Sequence, residues 1–209
     1  MCPARAALWL SLAGALACGC YAGSARGVTP AEASALAADP TWTVVRDVPF
    51  VAQRGDEDCG PAALAMLMAG LGQPVTLAEV TSAEPPIKGG VRAGDLRDFA
   101  RRRGFEAFVV AGTFDDLFRE LSRGRPVLVG LAKPMTGGRA LAHYEVVVAI
   151  NRRARQVLTL DPAGGLRENS LEGFAREWAP TGRVTLIAFR PPPSRPRDAG
   201  LGAPGAPPG

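Results

Sequence analysis

Four side chains in this sequence have the types and spacing that thiol chemistry needs. Cys59 follows the polar loop Arg54 to Asp58 and opens the run Cys59-Gly-Pro-Ala-Ala-Leu-Ala-Met-Leu-Met-Ala-Gly70, whose composition is that of a helix. Pro61 fits a first helical turn, where its missing N–H is not needed, and Gly70 and Gly72 end the run. Cys59 is therefore expected at the positive end of a helix dipole, a setting that favours the nucleophilic thiolate. Gln53, six residues earlier, can turn its amide toward the same point, and with the Cys59 N–H it would form a two-pronged oxyanion hole. A cysteine nucleophile also needs a base and a group to orient that base. His143 is the only histidine, and Asp161 ends a strand-like run from Gln156. Taken singly, each residue has an ordinary structural reading: a small buried thiol, a surface or core histidine, an Asp-Pro turn. Together they supply what acyl transfer at a peptide carbonyl requires.

The orienting acid has two candidates. Side chains alternate along a strand, so His143 and Glu145 share a face. A hairpin turning at Arg152 sets His143 and Asp161 nearly opposite, with Cβ atoms about 4.5–5.5 Å apart. A longer turn slides the register and brings Glu145 opposite Asp161 instead. The strand-end position favours Asp161.

Elements to hold these groups can be read along the chain. Val44 to Val51 is extended. Thr76-Leu-Ala-Glu79 is a capping box before a short helix, and Asp95 to Arg103 is amphipathic, with Leu96, Phe99 and Ala100 on its inner face. A strand from Phe105 to Ala111 precedes a helix capped by Thr113 and ended by Gly124. Pro126 to Leu131 is almost wholly apolar, as a central strand should be. Strands at Ala142–Ile150 and Gln156–Leu160, a helix over 170–178 and a strand over 185–189 complete an α+β domain, with the cysteine helix packed on an antiparallel sheet.

Gln53-x5-Cys59-Gly-Pro-Ala, His143-Tyr-Glu-Val-Val-Val and Leu160-Asp161-Pro162, in that order, resemble family thirty-nine of the cysteine peptidases. These are papain-like enzymes whose best-known members remove double-glycine leaders from bacteriocin precursors. The resemblance runs from about Val44 to Arg190 and includes Arg101-Arg-Arg-Gly-Phe105 and Gly124-Arg-Pro-Val-Leu-Val129. It implies a papain-like fold and a Cys59–His143–Asp161 peptidase. It further implies a Gln53 oxyanion donor, no metal or other cofactor, and small residues such as Gly-Gly before the cut. Glu145 departs from the family pattern, which has an apolar residue there. A transglutaminase-like acyl transferase and a non-catalytic peptide-binding lipoprotein are the alternatives on the same scaffold.

The flanks point to export. Arg5 and the apolar stretch Ala6 to Ala17 read as a signal over 1–20, ending in Leu16-Ala17-Cys18-Gly19-Cys20, which resembles a lipobox with Cys18 or Cys20 as the lipidated residue. Simple cleavage near Ala22 to Ala25, or an uncleaved anchor, are the other readings. The expected order is then a tether over 21–41 opened by the capping box Thr29 to Glu32, a domain over 42–190, and a Pro/Gly-rich tail over 191–209. With Cys2 removed, the domain keeps Cys59 alone and no internal disulfide. The 209 residues are 47% hydrophobic and 21% charged, enough for one such domain with flanks. The net charge of +4 comes from arginines spread along the chain without interleaved aromatics, so nucleic acid is not an expected partner. The chain carries no phosphate-binding loop ending in Gly-Lys-Ser/Thr and no later membrane helix. It is read as a stand-alone exported enzyme on a membrane surface, facing the periplasm or cell exterior, acting on peptides or proteins, with a separate export transporter as a further partner.

Overall fold

The computed structural model describes residues 20–191; residues 1–19, with Cys18 and most of the expected signal, and residues 192–209 lie outside the described residues. After two short N-terminal elements, β1 (Arg26–Gly27) and α1 (Pro30–Ala38), and the brief strand β2 (Thr43–Val44), the chain stays irregular up to Cys59. The extended run to Val51 thus contributes only its first residues to the sheet. Helices α2 (Cys59–Gly70), α3 (Leu77–Ala83) and α4 (Ala93–Arg102) follow, then β3 (Glu106–Ala111) and α5 (Phe114–Ser122). The remaining strands are β4 (Val127–Pro134), β5 (Ala140–Asn151), β6 (Gln156–Asp161), β7 (Gly165–Ser170) and β8 (Val184–Phe189), with α6 (Leu171–Trp178) between the last two. Thr29, Thr76 and Thr113 each cap a helix in a reciprocal box, and Ser170 caps α6 through Gly173 N–H.

The strands form one antiparallel sheet in the order β1-β7-β6-β5-β4-β8-β3, with β2 paired to the far end of β5. Alternation sends successive side chains to opposite faces. Leu128, Val146 and Leu160 join α2 and α4 in one core, while Val129, Leu131 and Val147 pack with Leu117, Leu121, Phe174 and Trp178 of α5 and α6 in the other. Because α2 is enclosed by sheet, α3 and α4, every residue from Ala62 to Met68 is inaccessible to solvent, which explains why its sequence is apolar all round. Gly60 lets the start of this helix approach the sheet: a Cβ there would lie 3.2 Å from the Tyr144 ring and 3.3 Å from Leu96.

Residues 21–41 do not behave as the expected tether. Tyr21 bridges to Met135, Ala22 N–H donates to Pro134 O (2.8 Å), and Val28 N–H donates to Leu166 O (3.0 Å). β1 pairs with β7, itself absent from the sequence reading. This segment lies along the sheet because β7 is an edge strand whose peptide groups need partners.

Candidate active site

Cys59 occupies the first turn of α2 and is 5% exposed. Unlike the four capped helices, α2 has no side-chain cap: the Asp58 carbonyl accepts from Ala62 N–H at 3.0 Å, but its carboxylate does not bond to the first turn. Pro61 contributes no N–H, so the unfilled donors of this turn belong to Cys59 and Gly60. Uncapped backbone donors and the helix dipole favour an anion at this place.

His143, on β5, is 7% exposed, and Asp161, the last residue of β6, is 6% exposed. His143 Nε2 lies 2.7 Å from Asp161 Oδ1, and the ring lines the same cleft as Cys59. Burial by itself would lower the pKa of the imidazole. Its hydrogen bonds to Asp161 and Cys59, with the charges of Cys59 and Glu145, outweigh that and raise the pKa to about 10. Burial would likewise raise the Asp161 carboxyl, but the His143 bond and charge, the Ala163 N–H and the Lys133 charge hold it below its ordinary value. Asp161 Oδ1 also accepts from Ala163 N–H at 2.8 Å, an Asx turn that fixes the carboxylate, and Arg167 Nε stands 3.5 Å from Oδ2.

The hairpin register differs from a symmetric turn at Arg152. β5 and β6 pair Asn151 with Gln156, a bulge follows between Val147 and Ala149, and the ladder then runs to Val146–Leu160. One step further along this ladder sets Glu145 across from Asp161, and His143 reaches Asp161 along the diagonal, a distance that long side chains span. Glu145 is 1% exposed and is held elsewhere: Lys133 Nζ donates to its Oε1 at 2.7 Å and forms an ion pair with Glu177 at 2.9 Å. The ring nitrogen of His143 and the carboxylates of Glu145 and Asp161 lie within 4.8 Å of one another, a donor set of the kind that holds a cation. Here the Lys133 ammonium supplies the positive charge that the two acids need, and the imidazole is committed to Asp161.

Gln53 is tied to the same corner through its backbone, whose N–H donates to Pro162 O at 3.1 Å. Its side-chain Nε2 donates to Gly55 O at 3.2 Å, and its Oε1 is buried without a partner. A cleft of about 360 Å³ opens beside Cys59 and His143, lined by Gly89, Gly90, Val91, Gly130 and Tyr144. Cys20 is exposed beside the β4–β5 loop, where its N–H donates to Thr136 Oγ1 at 3.0 Å and its carbonyl accepts from Thr136 N–H at 2.8 Å.

Sequence reading did not single out Lys133, Glu177, Tyr21 or Arg167. Lys133 left a signal: it is one of two lysines, and it continues an apolar strand beyond Leu131 on the face that Leu131 shares with His143.

A helix with a thiol in its first turn, laid on an antiparallel sheet that carries the imidazole, is the arrangement of a papain-like cysteine peptidase. Residues 47–191 match the Peptidase C39 family, and the chain belongs to it. It is a cysteine peptidase. Among solved structures it is similar to the peptidase domain of Streptococcus ComA, a bi-functional ABC transporter involved in a quorum sensing pathway, at TM-score 0.57 and 27% identity, over 69% of this chain and 100% of that one. It shares the fold of a double glycine motif protease from an AMS/PCAT transporter, solved with the leader peptide (TM-score 0.55, 24% identity, 71% and 97% covered). Xylellain, a cysteine protease from Xylella fastidiosa, also has this fold (TM-score 0.55, 13% identity, 81% and 96% covered). No curated protein matches the chain. No helix among the described residues is long and apolar enough to cross a membrane.

Proposed function

We propose that the enzyme hydrolyses peptide bonds through Cys59, His143 and Asp161, with Cys59 N–H and Gln53 as the oxyanion donors. The observation that carries this reading is the buried His143–Asp161 bond beside Cys59, in one cleft at a helix terminus without a side-chain cap. His143 takes the Cys59 proton, giving a thiolate–imidazolium pair. Cys59 Sγ attacks the carbonyl carbon, and charge moves to the carbonyl oxygen, which Cys59 N–H and the second N–H of Gln53 Nε2 receive. The C–N bond then breaks, the amine leaves with the proton from His143, and a thioester remains on Cys59. Water attacks the thioester while His143 takes its proton; the acid departs and the ion pair returns. Loss of one oxyanion donor costs about a hundredfold to a thousandfold in turnover.

The cleft supports small residues before the cut. Glycines at 89, 90 and 130 line it, and a Cβ at Gly130 would already lie 3.3 Å from Val184. A double-glycine sequence is the substrate class that such a floor and the family resemblance favour. Export and lipidation at Cys18 or Cys20 belong to the same proposal. Cys20 at the β4–β5 loop would hold the site close to the membrane surface rather than on a long tether. A separate export transporter would then be its source of substrate.

Digestion of a peptide library by the mature protein, with and without an added amine, tests the reading. Cleavage after small residues to free acids is expected, and Cys59→Ala should abolish it while the fold is kept. Products capped by the amine would make the enzyme a transferase, and equal cleavage by Cys59→Ala would remove Cys59 from the chemistry.

A further inference from the structure

Asp161 is not the acid that the strand register favours as a neighbour of His143's own strand. Glu145 shares the face of His143 two residues along β5, and one step beyond the Val146–Leu160 pair sets it across from Asp161. A free Glu145 carboxylate would compete with Asp161 for the ring N–H and repel it across the hairpin. Two buried carboxylates at this separation do not both stay ionised without a cation between or beside them.

The cation comes from β4. Lys133 is opposite Leu141, so its side chain runs along the His143 face and ends 2.7 Å from Glu145 Oε1. Glu177 of α6 holds the ammonium from the other side at 2.9 Å. Tyr21 closes the cluster. Its ring lies 4.6 Å from Lys133 Nζ, its hydroxyl donates to Glu177 Oε1, and it accepts from Ala25 N–H at 2.9 Å. Lys133, Glu145 and Glu177 are all less than a tenth exposed.

We propose that Lys133 and Tyr21 are positioning residues of the peptidase, which bind Glu145 and Glu177 into a closed polar cluster and so leave Asp161 as the acid that orients His143. The N-terminal segment is then a working part of the site, since it delivers Tyr21. The inference rests on the proposed role of His143 and deepens it. The other charged groups facing the ring are Cys59 from α2 and, behind Asp161, Arg167 from β7. Tyr144, next in sequence to His143, faces Cys59 and has its hydroxyl pushed up to about 12 by burial.

The test compares Lys133→Met, Lys133→Met with Glu145→Gln, and Tyr21→Phe, using kcat, KM and the pH profile of kcat/KM. Lys133→Met should lower kcat about tenfold or more with KM nearly unchanged, and should move the alkaline limb upward, because an unpaired Glu145 stabilises the imidazolium. Adding Glu145→Gln should restore most of kcat and return the limb to or below its wild-type position. Tyr21→Phe keeps the ring and should lower kcat about threefold to tenfold. Should Lys133→Met fail to fold, the double variant and Tyr21→Phe decide: near wild-type kcat in the first and a lowered kcat in the second support the proposal. Wild-type kinetics and pH profile in Lys133→Met, or a double variant no better than the single, would overturn it. Persistent cleavage by Cys59→Ala is a separate result that would instead overturn the proposed function.

Discussion

His143 must choose between two acids, and the choice is settled by side-chain commitments that strand counting does not reveal. Spacing alone sets the candidates, because His143 and Glu145 share a face and Asp161 ends the adjacent strand. The bulge between Val147 and Ala149 shifts the pairing, so the symmetric register fails while the His143–Asp161 bond still forms on the diagonal. Asp161→Asn should cost roughly tenfold to a hundredfold in turnover, less than the serine-protease precedent, because the thiolate–imidazolium pair supplies much of the ordering; Asp161→Ala should cost more. The same change removes a bond that raises the His143 pKa, so the alkaline limb of the pH–rate profile should move down from its wild-type place near 10. An unmoved limb in Asp161→Ala would show that another group holds the ring. The place of Cys59 at a helix start is legible in the sequence because helix-start signals are local. The contacts of Lys133 and Tyr21 are not, since the first runs along a sheet and the second joins partners more than a hundred residues away in sequence.

At the scale of elements, helices were read well and edge strands poorly. Threonine caps and glycine stops are local signals, and Thr29, Thr76 and Thr113 form the boxes that their spacing implies. β7 has the polar sequence Gly-Leu-Arg-Glu-Asn-Ser, which carries little strand signal, and β1 is two residues long. Both exist because backbone pairing at a sheet edge overrides propensity. α2 shows the reverse case, an element whose burial is evident in its composition. Leu64→Ala in its centre should destabilise the domain by about 2–5 kcal/mol, measured by denaturant unfolding, because the enclosed site cannot collapse around the cavity. Removing the cap with Thr113→Ala should cost only about 1 kcal/mol. Equal losses in the two variants would contradict the packing described for α2.

For the whole molecule, the docked N-terminal segment joins the export question to the catalytic one. Mass spectrometry of membrane-extracted protein should find an acyl modification at Cys18 or Cys20; an unmodified chain beginning after Cys20 in the soluble exported fraction would remove the anchor. The titrating groups also couple stability to pH. The pKa of His143 is raised from 6.5 to about 10, so its contribution is complete below 6.5 and is lost as pH rises through the higher value. Asp161, held below 3.8, contributes above that pH and loses its contribution as pH falls further. The fold should therefore be most stable between these limits. The proposed chemistry turns on activation of Cys59 by His143. The direct measurement is the rate of Cys59 alkylation between about pH 5 and 9 in the wild type and in His143→Ala. Rapid alkylation is expected in the wild type near pH 6, with a rate at least roughly tenfold lower in His143→Ala at that pH. Identical rates across the range would contradict it.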